Sequence, residues 1–157
     1  MANNRPQNFR PLNCDDMERS IQLCNGIEYL IDEFQRETNG KEPNQLYKIE
    51  YKQQLLKIAN HLEELIHRLI YLVNKNNKEF YFRHLYAIIK SISCAPNVFI
   101  ITAFYLDPER EFKRLVNRNT FNFEVEQVLK KIQFIKPVLQ SLAVGRKSGI
   151  KSILHSI

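Results

Sequence analysis

The residue types best suited to chemistry cluster in one stretch, where His61, Glu63, Glu64 and His67 stand close together. Glu64-x-x-His67 has the spacing of one half of a di-iron bundle site, in which both side chains project from one helix face. A complete site needs a second such pair on another helix plus two further carboxylates, and the sequence offers neither. Glu64 with Arg68, and Glu63 with His67, also stand at the i,i+4 spacing of ordinary surface pairs. The three cysteines, Cys14, Cys24 and Cys94, form no Cys-x-x-Cys and pair with no histidine at zinc-finger spacing. A nucleophilic cysteine needs a base and an electropositive setting. Cys24 instead falls on an apolar helix face and Cys94 just before Pro96, both positions of packing. No Gly-x-Ser-x-Gly, His-Glu-x-x-His, Walker or dinucleotide motif occurs. The expectation is a protein without catalytic residues, cofactor or metal.

Two other constellations concern binding. Val144-Gly145-Arg146-Lys147-Ser148-Gly149-Ile150 reads as a basic turn between two glycines. Ser148 is placed to cap a final short helix through Ile150, Ile153, Leu154 and Ile157. The free N–H groups of that helix would meet Arg146 and Lys147, an arrangement that attracts anions. Lys130, Lys131 and Lys136 extend the patch, and Lys151 follows it. Lys130, Lys131, Arg146, Lys147, Ser148 and Lys151 are therefore the candidate residues for an anion or a nucleic acid. The plainer reading is a solvated basic surface with ordinary capping, since no aromatic platform for stacked bases stands close by. The second constellation is aromatic: Phe80, Tyr81, Phe82, Tyr86, Phe121 and Phe123 could line a groove that accepts an amphipathic partner helix, or fill the core.

The elements that must position these residues are helices. Between 44 and 74, apolar residues fall at Tyr51, Leu55, Ile58, Leu62, Leu65, Leu69 and Leu72, a 4-3-4-3 seam. A second apolar line, Ala59, Ile66, Ile70 and Val73, joins it towards the end. No Gly or Pro interrupts the stretch, and a helix of that extent is roughly 45 Å long. Before it, Asp15 and Glu18 have capping-box-like spacing, and Met17, Ile21, Cys24, Ile27, Ile31 and Phe34 make one stripe ended by Asn39-Gly40. After it, Asn76 is placed to cap a helix through Leu85, Ile89 and Ile92, with Pro96 closing it. Residues 98–106 (VFIITAFYL) have strand-like composition. No neighbouring strand exists for them, so they read as a short buried helix capped by Asn97. Asp107-Pro108-Glu109 reads as the start of a helix carrying Phe112, Leu115 and Val116. Another helix begins at 120–122 with Val125, Val128, Leu129, Ile132 and Ile135 inward, kinked or broken at Pro137. The expected fold is all-α: a mobile tail over 1–12, then one domain over 13–157. That domain is an irregular bundle of about six or seven helices around the long central one, residues 45–74.

Charge sharpens the picture. All 17 acidic residues lie at or before Glu126, whereas six of the 23 basic ones follow it. The net +6 thus sits in the segment 127–157, and a one-sided excess points to an anionic partner better than a diffuse one does. Unpaired cysteines suggest a reducing compartment, nucleus or cytoplasm. The N-terminus reads as no signal peptide, and the longest apolar run, 98–106, is about half of a membrane-spanning length. The expectation is a soluble intracellular protein without a membrane partner.

The run Val128-Leu129-Lys130-Lys131-Ile132-Gln133-Phe134-Ile135-Lys136, followed by Leu139, Leu142, Gly145, Ile150 and Ile153, resembles the second half of the TFIIS N-terminal domain family. The resemblance implies a small helical bundle of the kind found in transcription-elongation factors, which binds short disordered motifs and acts as a nuclear scaffold. The expected function is a non-catalytic helical interaction module or adaptor that binds a protein partner. The alternative is a nucleic-acid-binding domain acting through its basic C-terminal segment. Homodimerisation through the 51–72 seam is a third possibility.

Overall fold

The computed structural model describes residues 14–75, 80–111 and 117–148. Five α-helices are present among them: α1 (Cys14–Thr38), α2 (Ile49–Lys75), α3 (Phe80–Ile92), α4 (Ala95–Tyr105) and α5 (Arg118–Ser148). A 3-10 turn, Pro43–Leu46, joins α1 to α2, and no strand occurs among the described residues. The all-α expectation holds. The tail over 1–12, the cap at Asn76 and the last short helix lie outside the described residues.

Helix α1 forms because its apolar residues recur at three and four: Met17, Cys24, Ile27, Ile31 and Phe34 are all buried. Asp15 already lies within the helix and does not precede it. Gly40 ends α1 with φ of 78°, the left-handed geometry that glycine adopts without strain. Pro43 then starts the 3-10 turn, in which the Glu42 N–H donates to Gln45 Oε1 at 2.8 Å. Tyr47 leaves the helical region (φ −81°, ψ 72°), so α2 begins at Ile49, after the expected start at 45 and just before the first seam residue, Tyr51. The whole seam of α2 from Tyr51 to Leu72 is buried, as are Ala59, Ile66 and Val73, while Ile70 faces out.

Three local readings are corrected. Pro96 does not close α3; it sits in the first turn of α4, where a residue without N–H costs nothing. Asp107-Pro108 opens a turn over residues 107–111: Asp107 Oδ1 accepts from the Glu109 N–H at 2.9 Å, and its carbonyl accepts from the Arg110 N–H at 3.2 Å. The rest of the helix expected to carry Phe112, Leu115 and Val116 lies outside the described residues. An Asp at the first turn position and a Pro at the second serve such a turn as well as a helix cap. The last helix begins at Arg118, capped by Asn117, whose Oδ1 accepts from the Thr120 N–H at 3.1 Å. It then runs through Pro137 without a break. Pro137 and Gln133, whose carbonyl the missing N–H would have bonded, are both exposed, so the interruption falls on the solvent side of the helix.

Packing is shared between two helices, where the sequence pattern suggested one central helix. Helix α2 packs mainly on α1, α3 and α4; α5 packs mainly on α1 and reaches α3 and α4 as well. Helix α1 is therefore held between α2 and α5. One core cluster results, with Leu55, Leu62, Leu65, Leu69, Ile132 and Leu139 fully buried. At one end it is closed by edge-to-face rings: Phe34 to Tyr51 and Phe34 to Phe121, each at 6.0 Å between centroids, and Phe99 to Phe121 at 5.6 Å. The α2 seam is filled by neighbours in the same chain.

Candidate functional site

Helix α4 (APNVFIITAFY) carries no charged side chain. An apolar helix of this kind is normally enclosed on every side. Here only one face is: Ala95, Pro96, Phe99, Thr102 and Ala103 are buried, whereas Ile101 is 53% and Phe104 57% exposed. The Thr102 hydroxyl donates to the Val98 carbonyl at 2.8 Å, satisfying itself within the helix. Val98, Ile101 and Tyr105 recur at three and four, and together with Thr120, Phe121 and Glu124 of α5 they line an open groove of about 330 Å³. Two cations stand over aromatic rings of α4. The Arg110 guanidinium lies 4.6 Å from the Tyr105 ring centre, and Lys52 Nζ lies 5.9 Å from that of Phe104. Lys52 also pairs with Asp107 at 2.7 Å, tying α2 to the turn that ends α4.

A second hollow of about 230 Å³ opens at the α1–α5 junction, floored by Phe34, Leu46, Leu106 and Phe121 and rimmed by Asn39 and Asn122. The Arg118 guanidinium donates to the Lys41 carbonyl beside it, pinning the turn after α1 to the start of α5.

Of the aromatic candidates, only Tyr86, Phe121 and Phe123 have described side chains, and these three do not share one groove. Phe121 is a core residue, in ring contact with Phe34 and Phe99. Phe123, two positions on, lies on the outer side of α5 and is exposed, because adjacent helical residues differ by about 100° in direction. Tyr86 is exposed on α3, with Lys90 Nζ 5.2 Å from its ring centre. For Phe80, Tyr81 and Phe82 only the backbone, in the first turn of α3, belongs to the described part.

The basic candidates are also redistributed. Arg146, Lys147 and Ser148 continue α5, so residues 145–148 form no turn, and Ser148 ends a described helix where a cap was expected. Helix propagation through Gly145 adds one hydrogen bond per residue to a helix already nucleated. The last carbonyls of a helix repel anions, so the anion pocket drawn from this motif is not built from the described residues. Lys151 lies outside them. Lys136 is spent in a cross-helix pair with Glu28 of α1 at 2.8 Å. Lys130 is exposed, and Lys131 lines a small hollow of about 80 Å³ with Ser91 and Cys94 at the end of α3.

The remaining titratable groups have ordinary tasks. Glu64 accepts from Arg68 at 3.1 Å and approaches Arg19 at 3.7 Å. His61 Nδ1 lies 2.9 Å from the Lys57 carbonyl. Among the described residues no group of three or more His, Cys, Asp or Glu side chains stands together. The Cys24 thiol is pushed up to about 12 by burial, helped by the negative charge of Glu28, so it stays protonated and inert.

Sequence reasoning missed two features. Ile101 and Phe104 were assigned to a buried helix; the usable signal was that α4 has no polar stripe to turn towards water. The charge balance over 1–126 also concealed a second acid-free stretch, residues 80–106, whose charged residues are Arg83 and Lys90. By length and composition Leu85–Tyr105 is apolar enough to cross a membrane, with mean hydropathy 1.6, more than the run 98–106 suggested. In the fold it is divided between α3 and α4 by a turn at 93–94.

No family model, curated protein or solved structure matches this chain. The resemblance of residues 128–153 to TFIIS N-terminal domains therefore rests on their residue pattern alone.

Proposed function

We propose that this protein is a non-catalytic helical interaction module whose groove between α4 and α5 takes an amphipathic helix of a protein partner. One observation carries the reading: the uncharged helix α4 leaves Ile101 and Phe104 in water beside an apolar groove. Exposed apolar residues grouped at helical spacing are a recurrent mark of helix-in-groove recognition. The spacing of Val98, Ile101 and Tyr105 matches ridges of a second helix packed at three and four. One acid, Glu124, lines the groove and one cation, Arg110, stands over its Tyr105, so the contact is apolar at its centre and weakly sensitive to salt.

The test is a selection from a displayed library of amphipathic helical peptides on the wild-type protein, followed by binding of the selected peptides to an Ile101→Glu/Phe104→Glu variant. Both positions are exposed, so circular dichroism of the variant should match the wild type. Selected peptides should lose at least tenfold in affinity on the variant and change less than twofold between about 50 and about 200 mM salt. Peptides that bind both proteins equally would overturn the proposal. Concentration-dependent dimerisation of the wild type, absent in the variant, would give the groove to a second copy instead.

A further inference from the structure

Helix faces interlock along their lengths, but the ends of elements do not, and one space is left where four of them meet. The last turn of α1 (Gln35, Thr38), the 3-10 turn (Leu46), the end of α4 (Leu106) and the first turns of α5 (Arg118, Asn122) surround the hollow of about 230 Å³ at the α1–α5 junction. Its floor is apolar: Phe34, Leu46, Leu106 and Phe121 are all buried, and the Phe34 and Phe121 rings meet edge to face at 6.0 Å between centroids. Its rim is polar, with the side-chain amides of Gln35, Asn39 and Asn122. Beside Gly40 the space is open, because no atom lies within 4 Å of where a Cβ would stand. Among the described residues no Asp or Glu lines the hollow, and the one charge on its wall is that of the half-buried Arg118. The Arg118 guanidinium donates to the Lys41 carbonyl and forms no ion pair with a described residue. A neutral carbonyl leaves that charge uncompensated, and a guanidinium keeps further N–H donors in a fork that fits a carboxylate.

We propose that this hollow binds a small organic acid, with its carboxylate on Arg118 and its apolar body, one ring or a short branched chain, against Phe34 and Phe121. Size sets the body, because the hollow lies just below the roughly 300–1,000 Å³ of sites for drug-sized ligands. A ligand ring on this floor joins an edge-to-face cluster, the arrangement that aromatic rings prefer. Charge sets the head. A single negative charge balances Arg118, and charge-assisted bonds of the Arg–carboxylate kind are roughly twice as strong as neutral ones. Inorganic phosphate meets the same cation but leaves the apolar floor uncovered, and it brings further charge that nothing on the wall balances. The hydroxyls of Thr38 and Thr102 are already committed as donors, to the Phe34 and Val98 carbonyls of their own helices. The inference does not rest on the α4–α5 groove: Thr102 and Phe121 border both spaces, but Val98, Ile101 and Tyr105 do not line the hollow.

The test is an amide NMR titration of the isotope-labelled full chain with phenylacetate, with phenylacetamide and inorganic phosphate as comparisons. Phenylacetate should shift the backbone signals of Thr38, Gly40 and Asn122 and leave that of Lys57, on an exposed part of α2, in place. Phenylacetamide has the same ring without the charge and should bind about tenfold more weakly. Arg118→Gln removes the charge and keeps a donor for the Lys41 carbonyl. It should weaken phenylacetate by about tenfold and change phenylacetamide by less than about twofold. Asn122→Trp is the second variant: it alters an exposed residue, leaves Arg118 in place and puts an indole at the rim, so phenylacetate binding should be lost. Circular dichroism of both variants should match the wild type. Any of four results overturns the proposal: no shifts at Thr38, Gly40 and Asn122 up to about 10 mM phenylacetate, equal affinity for the acid and the amide, the same shifts at the same concentration from phosphate, or undiminished binding of phenylacetate by either variant.

Discussion

Helices α2 and α4 use apolar residues in opposite ways. Helix α2 gathers most of them into a seam and buries that seam, with Leu55, Leu62, Leu65, Leu69 and Leu72 all without solvent contact, and leaves Ile49 and Ile70 outside it. Helix α4 is apolar on every side, so its pattern names no inward face; its neighbours decide which side is buried and leave Ile101 and Phe104 outside. The same kind of side chain is therefore enclosed in one helix and left in water in the other. The difference lies in whether the sequence supplies a polar stripe. Where it does, amphipathicity fixes the orientation before the fold forms. Where it does not, the neighbouring helices decide which apolar side chains stay in water.

Four measurements sharpen this comparison or break it. Leu62→Ala removes a fully buried side chain from the α2 seam and should cost about 2–5 kcal/mol in denaturant unfolding; a cost below about 1 kcal/mol would mean that the seam does not carry the core. The dryness of the α1 side of that core can be read from Cys24. Its thiol keeps its proton up to about 12 in the folded chain, against an ordinary 9.0. Between those values the folded state binds the proton and the unfolded state releases it. Cys24 thus makes stability fall as pH rises above about 9, by at most roughly 1.4 kcal/mol per pH unit. Denaturant midpoints measured from pH 8 to 11 should show this slope in the wild type and a shallower one in Cys24→Ala.

A smaller effect tests the tightness of the α1–α2 contact. A Cβ added at Gly26 would meet the His61 ring at 3.6 Å, an ordinary contact. Gly26→Ala should therefore stabilise the protein by about 1 kcal/mol, the helix-propensity gain, read as a rise in the unfolding midpoint. The smallest effect belongs to α4. Ile101→Ala should change unfolding free energy by no more than about 0.5 kcal/mol, while the double Glu variant loses peptide binding. A large destabilisation by Ile101→Ala would place that residue in the core and remove the basis of the comparison.

Much of the fold was legible because periodicity is a local property. The stripes of α1 and α2, with Gly40 as a stop, follow from side chains three and four apart on one helix. The failures fall where one local signal serves two geometries. Pro96 and Asp107-Pro108 suit a helix start, a helix end or a turn, and only the packing of α4 between its neighbours selects among them. Gly145 and Pro137 looked like breaks, yet a helix anchored on α1 through Ile132, Ile135 and Leu139 continues past both. For the candidate surfaces legibility was lower. The pairing of Lys136 with Glu28, the burial of Phe121 and the exposure of Phe134 are relations between helices, and no spacing within one helix encodes them.

The sequence by itself determined the helical class, the register of the buried faces of α1 and α2, and the acid-free character of two separate stretches. Each of these is a property of neighbours along the chain. Tertiary structure alone decided that Lys136 pairs with Glu28, that α4 has an outer side, and that α1 lies between α2 and α5. Each of these depends on which helix meets which. The reason is that side-chain types set the preference of a segment for water or for contact, whereas the identity of the contact is set by the balance of all segments competing for one core.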